Sequence, residues 1–247
     1  MSPMSAVRWQ WPDAPLRASA LGTSAVALVA LAIVAWIAHA SLPVSAGVPV
    51  AAAGVFAAVM LVAIGSIGGH HPFDRFGPAN QISTVRAALV ALAAALTLEP
   101  ALPVVAATTA AAALVATALD GLDGRMARQS GMASAFGARF DLEIDALLIL
   151  TLAALAWRHD KAGPWVLLSG LLRYLFVAAG WLWPWVERPL PSSRRRQAVC
   201  VVQVVGLIVA ILPMVTRPWS AVVAAVSLAA LCYSFFVDIL WLGRHAS

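Results

Sequence analysis

Apolar runs of about 20 residues follow one another along the whole chain, the length a helix needs to cross a hydrocarbon core about 30 Å thick. Backbone groups in lipid must be satisfied internally, which leaves helices or closed barrels as spanning structures. A barrel would alternate polar and apolar residues in short segments, and that alternation is missing. The chain is 62% hydrophobic and 11% charged, with a mean hydropathy of +0.88. Soluble domains carry about 25% charged residues. The expected fold class is an all-α polytopic membrane protein with about eight transmembrane helices.

The runs fall at about 18–40, 48–67, 80–98, 103 to the Asp120 region, 132–157, 165–183, 197–215 and 219–242. Pro78, Pro100, Pro103, Pro164, Pro184 and Pro218 punctuate them. Ala38-His39-Ala40 resembles a signal cleavage site. The first run is longer than a 7–15-residue signal core, however, and a second run follows closely, so it is expected to remain as a helix. Cys200 and Cys232 lie inside apolar runs and read as small core residues. In the break at 68–77, His70 and His71 stand near Asp74. Adjacent histidines point apart on most backbones, so a solvated interfacial loop is favoured over a metal pair.

With eight helices, Lys and Arg sort by side. The side of the termini holds Arg8, Arg17, Arg75, Arg86, Arg125, Arg128, Arg139, Arg188, Arg194, Arg195, Arg196 and Arg244. The other side holds Arg158, Lys161 and Arg217, and Arg173 falls within the sixth run. Twelve against three places both termini in the cytoplasm, a bacterial inner membrane being the expected setting. The basic excess is thus a topology signal, and no nucleic-acid partner is expected.

Asp120, Asp123, Asp141, Glu143 and Asp145 are five of the chain's 11 acidic residues, gathered in one short cytoplasmic stretch. Asp120 and Asp123 are three apart and Asp141 and Asp145 four apart, so each pair shares a helix face. Two antiparallel helices would aim four carboxylates into one space, while Glu143 points elsewhere. An ionised Asp at membrane depth costs roughly 2.5–3.5 kcal/mol, and close carboxylates also repel. Divalent cations offset both effects, and oxygen ligands suit Mg²⁺, Mn²⁺ or Ca²⁺ rather than zinc. Gly121, Gly124 and Gly137 suggest close approach to the backbone, and Arg128 can bind a phosphate bidentately. Together these residues describe a site for a diphosphate ester.

The pattern Asp120-x2-Asp123-Gly124-x2-Ala127-Arg128-x8-Gly137-x3-Asp141-x3-Asp145 resembles the complete signature of the CDP-alcohol phosphotransferases. Upstream, Asn80-x2-Ser83-x2-Arg86 is similar to the Asn/Thr/Arg pattern opening that family's first core helix, with Ser in place of the commoner Thr. The resemblance implies a six-helix catalytic core over 80–247, a connecting loop at 68–79, and two extra helices within 1–67. It implies attack by an alcohol hydroxyl on the β-phosphate of a CDP-linked donor, with release of CMP. Carried over by position, Asp120, Asp123, Asp141 and Asp145 would hold Mg²⁺ or Mn²⁺, two per site, with Asp145 also the candidate base. Asn80, Ser83, Gly124, Ala127, Arg128 and Gly137 would bind the donor.

CDP-diacylglycerol is the expected donor, with a small alcohol or alcohol phosphate as acceptor and a homodimer as the expected state. Arg86, Arg139, Arg173, Arg194, Arg195 and Arg196 are candidates for an acceptor-anion pocket; positive-inside anchoring is the competing account of the Arg194–Arg196 triplet. Two other readings remain open: a soluble CDP-alcohol donor with diacylglycerol as acceptor, and a divalent-cation transporter. Transport would favour ionisable groups spread through the membrane depth, whereas the opposite half has few beyond Glu99 and the Arg158–Lys161 loop.

Overall fold

Proline in the first turn opens α1 (Ala14–Ser41), α3 (Pro78–Leu96) and α4 (Pro103–Ser130), where its missing N–H leaves no intrahelical bond unmade. The computed structural model describes residues 11–245 except positions 69, 189 and 192; the side chains at 123–125, 127, 128, 184 and 187 also lie outside the description. Among the described residues it is all-helical. The remaining helices are α2 (Gly47–Gly65), α5 (Ala135–Arg158), α6 (Leu168–Leu182), α7 (Arg194–Ile211) and α8 (Trp219–Arg244). A 3-10 turn, Pro164–Leu167, leads into α6, so the sixth apolar run is not one uniform helix.

Among the described residues, six helical stretches are long and apolar enough to cross a membrane, and the chain is an integral membrane protein. They are α1, α2, α3, the Pro103–Leu122 part of α4, Pro164–Leu182, and α8. The other two helices miss that standard for legible reasons. Asp141, Glu143 and Asp145 sit in the first half of α5, and Arg194, Arg195 and Arg196 form the first turn of α7.

The chain divides into two compact units, Val7–Leu147 and, from the middle of α5 onward, Leu148–Ser247. In the first, α3 is the central helix, packed by α1, α2 and α4. Ala87, Ala88, Ala91, Ala93 and Ala95 are buried on it, and small side chains let neighbouring helix backbones approach closely. Two polar ties fasten the N-terminal helices to it. Phe76 N–H donates to Ser19 Oγ (3.2 Å) just before α3 begins. Beyond its C-terminal end, Glu99 accepts from Ser45 N–H (2.9 Å) and Ser45 Oγ (2.6 Å) in the α1–α2 connection. Hydrogen bonds to a charged group are worth about 1.5–3 kcal/mol. Glu99→Ala is expected to destabilise the detergent-solubilised protein by about 2 kcal/mol, read as a lowered Tm. Ser45→Ala, which keeps the backbone bond, should cost less.

The 68–77 connection differs from the solvated loop expected of it. His71 and Phe76 are buried. Ser134 Oγ accepts from Gly137 N–H (3.0 Å), which caps the start of α5, and lies 2.9 Å from His71 Nδ1. His71 Nε2 is 2.8 Å from the Arg75 carbonyl oxygen, to which it donates. The His71 ring meets Phe136 edge-on, and Phe136 in turn packs with Phe76 and stacks on Phe140 at 5.7 Å. The histidine clasps the loop to α5. His70 Nδ1 faces the Gly68 carbonyl oxygen at 2.7 Å.

In the second unit α7 packs along α8. Lys161 Nζ donates to the carbonyls of Leu212 (3.0 Å) and Val215 (2.6 Å), just beyond the end of α7. Ser220 Oγ donates to the Lys161 carbonyl (2.7 Å), closing the clasp onto α8. His159, in the same connection, is held below the usual histidine pKa by burial and then by the charges of Lys161 and Arg158.

Candidate functional site: a carboxylate cluster around Arg86

Helix α4 does not stop at its glycines. It runs through Gly121 and Gly124 to Ser130 and ends where Gly131 takes a left-handed conformation (φ 66°), the usual way a helix terminates. Its last two turns therefore continue past the stretch able to cross a membrane, which ends at Leu122. The chain turns at 131–134 and α5 begins, so Asp120 on α4 meets Asp141 and Asp145 on α5. One oxygen from each of these carboxylates lies within 4.8 Å of the others. All three side chains are partly exposed, at 37%, 31% and 20% for Asp120, Asp141 and Asp145. Asp123, expected in the same set, has its backbone in α4 and its side chain outside the described residues.

Carboxylate oxygens from facing helices, with the facial spread of two of them set by the four-residue step on α5, match the donor set of a hard divalent cation. The residues present fit such a cation on that ground. No described histidine or cysteine joins the group.

Arg86 is also in this cluster. Its side chain is completely buried on α3. Nε donates to the Ala116 carbonyl on α4 (3.1 Å), Nη1 pairs with Asp120 Oδ1 (2.9 Å) and Asp141 Oδ1, and Nη2 pairs with Asp145 Oδ1. A guanidinium is planar with donors fixed in a fork, which suits it to bridging several carboxylates. Arg86 thus joins α3, α4 and α5 at one point and offsets part of the mutual repulsion of the aspartates.

The other α3 residues lie one and two turns earlier. Asn80 is buried, and its amide nitrogen donates to the Phe76 carbonyl. Ser83 is buried and its hydroxyl donates to the Ala79 carbonyl (3.2 Å). Gly137 faces Asn80: a Cβ built there would lie 2.8 Å from Asn80 Oδ1. The glycine lets the start of α5 come against α3. Gly121, by contrast, has nothing within 4 Å of a built Cβ. Gly124, Ala127 and Arg128 belong to α4, and their surroundings lie outside the described residues.

The acceptor candidates are spread over both units. Arg139 is exposed on the first turns of α5. In the second unit, Arg195 donates to the Ser234 carbonyl (2.7 Å) and pairs with Asp238, which Arg196 approaches at 3.9 Å. Arg195, Arg196, Asp238 and Trp241 line a cavity of about 260 Å³. Arg194 is exposed beside them, and Arg173 is half-buried on α6. Asp238 is not singled out by the sequence, although a lone acid in an otherwise apolar helix is a signal for a buried partner.

The family model described as CDP-alcohol phosphatidyltransferase matches residues 76–235, from just before α3 into α8. That family comprises transferases of substituted phosphate groups, acting on CDP-alcohols in lipid synthesis. No curated protein and no solved structure matches the chain.

Proposed function

The chain belongs to the CDP-alcohol phosphatidyltransferase family, and from that premise we propose that it moves a phosphatidyl group from CDP-diacylglycerol to a small alcohol or alcohol phosphate. The observation that carries this reading is the convergence of Asp120, Asp141 and Asp145 within 4.8 Å on two facing helices. In the proposed reaction the acceptor oxygen forms a bond to the β-phosphorus, the bond from that phosphorus to CMP breaks, and the acceptor proton passes to Asp145. Two divalent cations held by Asp120, Asp123, Asp141 and Asp145 would supply charge stabilisation for the attacking and leaving oxygens. Asn80, Ser83, Gly124, Ala127, Arg128 and Gly137 are assigned to the cytidine diphosphate. Of the six arginines expected at an anionic acceptor, Arg86 is engaged by the three aspartates instead. Arg139, Arg173, Arg194, Arg195 and Arg196 are assigned to the acceptor, and the cavity lined by Arg195 and Arg196 supports that part.

The proposal further assigns catalysis to residues 80–247, with 68–79 as the connection and 1–67 as an added helical pair. The start of the family match at residue 76 supports this division. The Arg and Lys distribution supports a cytoplasmic site and cytoplasmic termini.

The test is CMP release by the purified full chain in detergent or lipid. The arms supply CDP-diacylglycerol with a panel of alcohols and alcohol phosphates, or CDP-choline with diacylglycerol. Release is expected only in the first set, to vanish with EDTA and to return with Mg²⁺ or Mn²⁺. Turnover confined to CDP-choline would move the lipid to the acceptor side. Activity indifferent to EDTA would remove the metal.

A further inference from the structure

We infer that Arg86 is a built-in counter-cation of the carboxylate site, and that metal loading is an exchange in which the aspartates are handed from the guanidinium to the metal. The inference rests on the proposed metal site and adds a role for a side chain outside the metal-ligating set.

Arg86 uses the same three carboxylates that would bind the cation. Nη1 is on Asp120 and Asp141, and Nη2 is on Asp145. Carboxylates that bond a guanidinium have fewer lone pairs to give a metal, and a fixed positive charge beside a divalent cation repels it. Both effects weaken metal binding. The opposite effect operates without metal: three close carboxylates at a membrane site would repel one another, and Arg86 compensates them. Nε is held separately, by the Ala116 carbonyl at 3.1 Å, and this bond does not depend on the aspartates. It gives the side chain a place to remain, still on α4, when its Nη groups release the carboxylates. Arg86 therefore keeps the helices α3, α4 and α5 gathered before loading, and it sets metal affinity at a level from which the ions can also leave.

The experiment is Mn²⁺ binding to the full chain in lipid nanodiscs without nucleotide, by calorimetry and by loss of the free Mn²⁺ resonance. Wild type is compared with Arg86→Met, which keeps length and removes charge, and with Arg86→Lys, which keeps charge and loses the fork. Removing a like charge this near should tighten Mn²⁺ binding by at least about tenfold in R86M. Metal-stripped R86M should melt below metal-stripped wild type, and Mn²⁺ should raise its Tm by more. R86K, whose single ammonium spans fewer carboxylates, should tighten binding several-fold.

R86M binding Mn²⁺ no more tightly than wild type, or melting at the wild-type temperature once stripped, overturns the inference. If R86M does not fold, R86K decides: affinity at or below wild type overturns it, tighter binding supports it. Folded wild type that binds no Mn²⁺ at all would remove the metal site itself, and the inference with it. That outcome is separable from wild-type binding accompanied by weaker binding in the variants.

Discussion

Asp145→Asn should reduce CMP release by about 10²–10⁴-fold, the range that a positioned general base contributes, while binding of the CDP-linked donor largely survives. The amide matches the carboxylate in size, so the helix face that carries Asp141 is unchanged. What it lacks is the ability to take the acceptor proton. It also gives up one unit of negative charge toward both Arg86 and a metal, so turnover has to be measured at saturating Mn²⁺ or Mg²⁺. A defect that disappears at high metal concentration would make Asp145 a ligand only. A defect that persists there, with donor affinity preserved, is the signature of a base. Normal turnover throughout would mean that the proton goes elsewhere.

The carboxylates are legible because their spacing alone determines a face. Steps of three and four residues place Asp120 with Asp123 and Asp141 with Asp145 on any helix, and an apolar chain has few reasons to gather such groups. Arg86 is harder to read. The sequence puts it in a three-residue pattern on α3, in the cytoplasmic charge count and among the anion-pocket candidates, and each is reasonable. Which side chains a buried arginine meets depends on the helices packed opposite it, and spacing along α3 contains no information about them. Asp238 escapes a sequence reading for the same reason. Its partner Arg195 is 43 positions away, and the proximity arises only when α7 lies against α8.

Helix limits show a similar division. Prolines mark the starts of α3 and α4 closely, because the lost N–H suits only a first turn, whereas α1 begins at Ala14, ahead of the apolar run read from about residue 18. The end of α4 is less legible, since the apolar run stops in the Asp120 region while the helix continues through Gly121 and Gly124 to Ser130. A glycine inside a helix costs up to about 1 kcal/mol relative to alanine, which surrounding packing readily absorbs. Gly131 ends the helix because its backbone turns left-handed there.

Gly170→Ala is expected to be among the most damaging small substitutions in the chain, and Gly170→Val to prevent accumulation of folded protein. A Cβ at Gly170 would stand 2.5 Å from the Leu150 Cα and 2.6 Å from its Cβ. Carbon atoms prefer about 3.5–4.0 Å, and a backbone atom cannot rotate aside as a side-chain terminus can. Helices α5 and α6 would have to separate locally by about 1 Å, opening gaps along the rest of their packed faces. Overpacking of this kind costs about 1–3 kcal/mol, and valine adds two more carbons in the same place. Gly54 on α2 supplies the contrast, because nothing lies within 4 Å of its built Cβ. Gly54→Ala should leave Tm unchanged or raise it slightly, through the better helix propensity of alanine. Thermal unfolding of both alanine variants in one detergent separates the two expectations. Equal melting would mean that α6 does not pass Leu150 this closely.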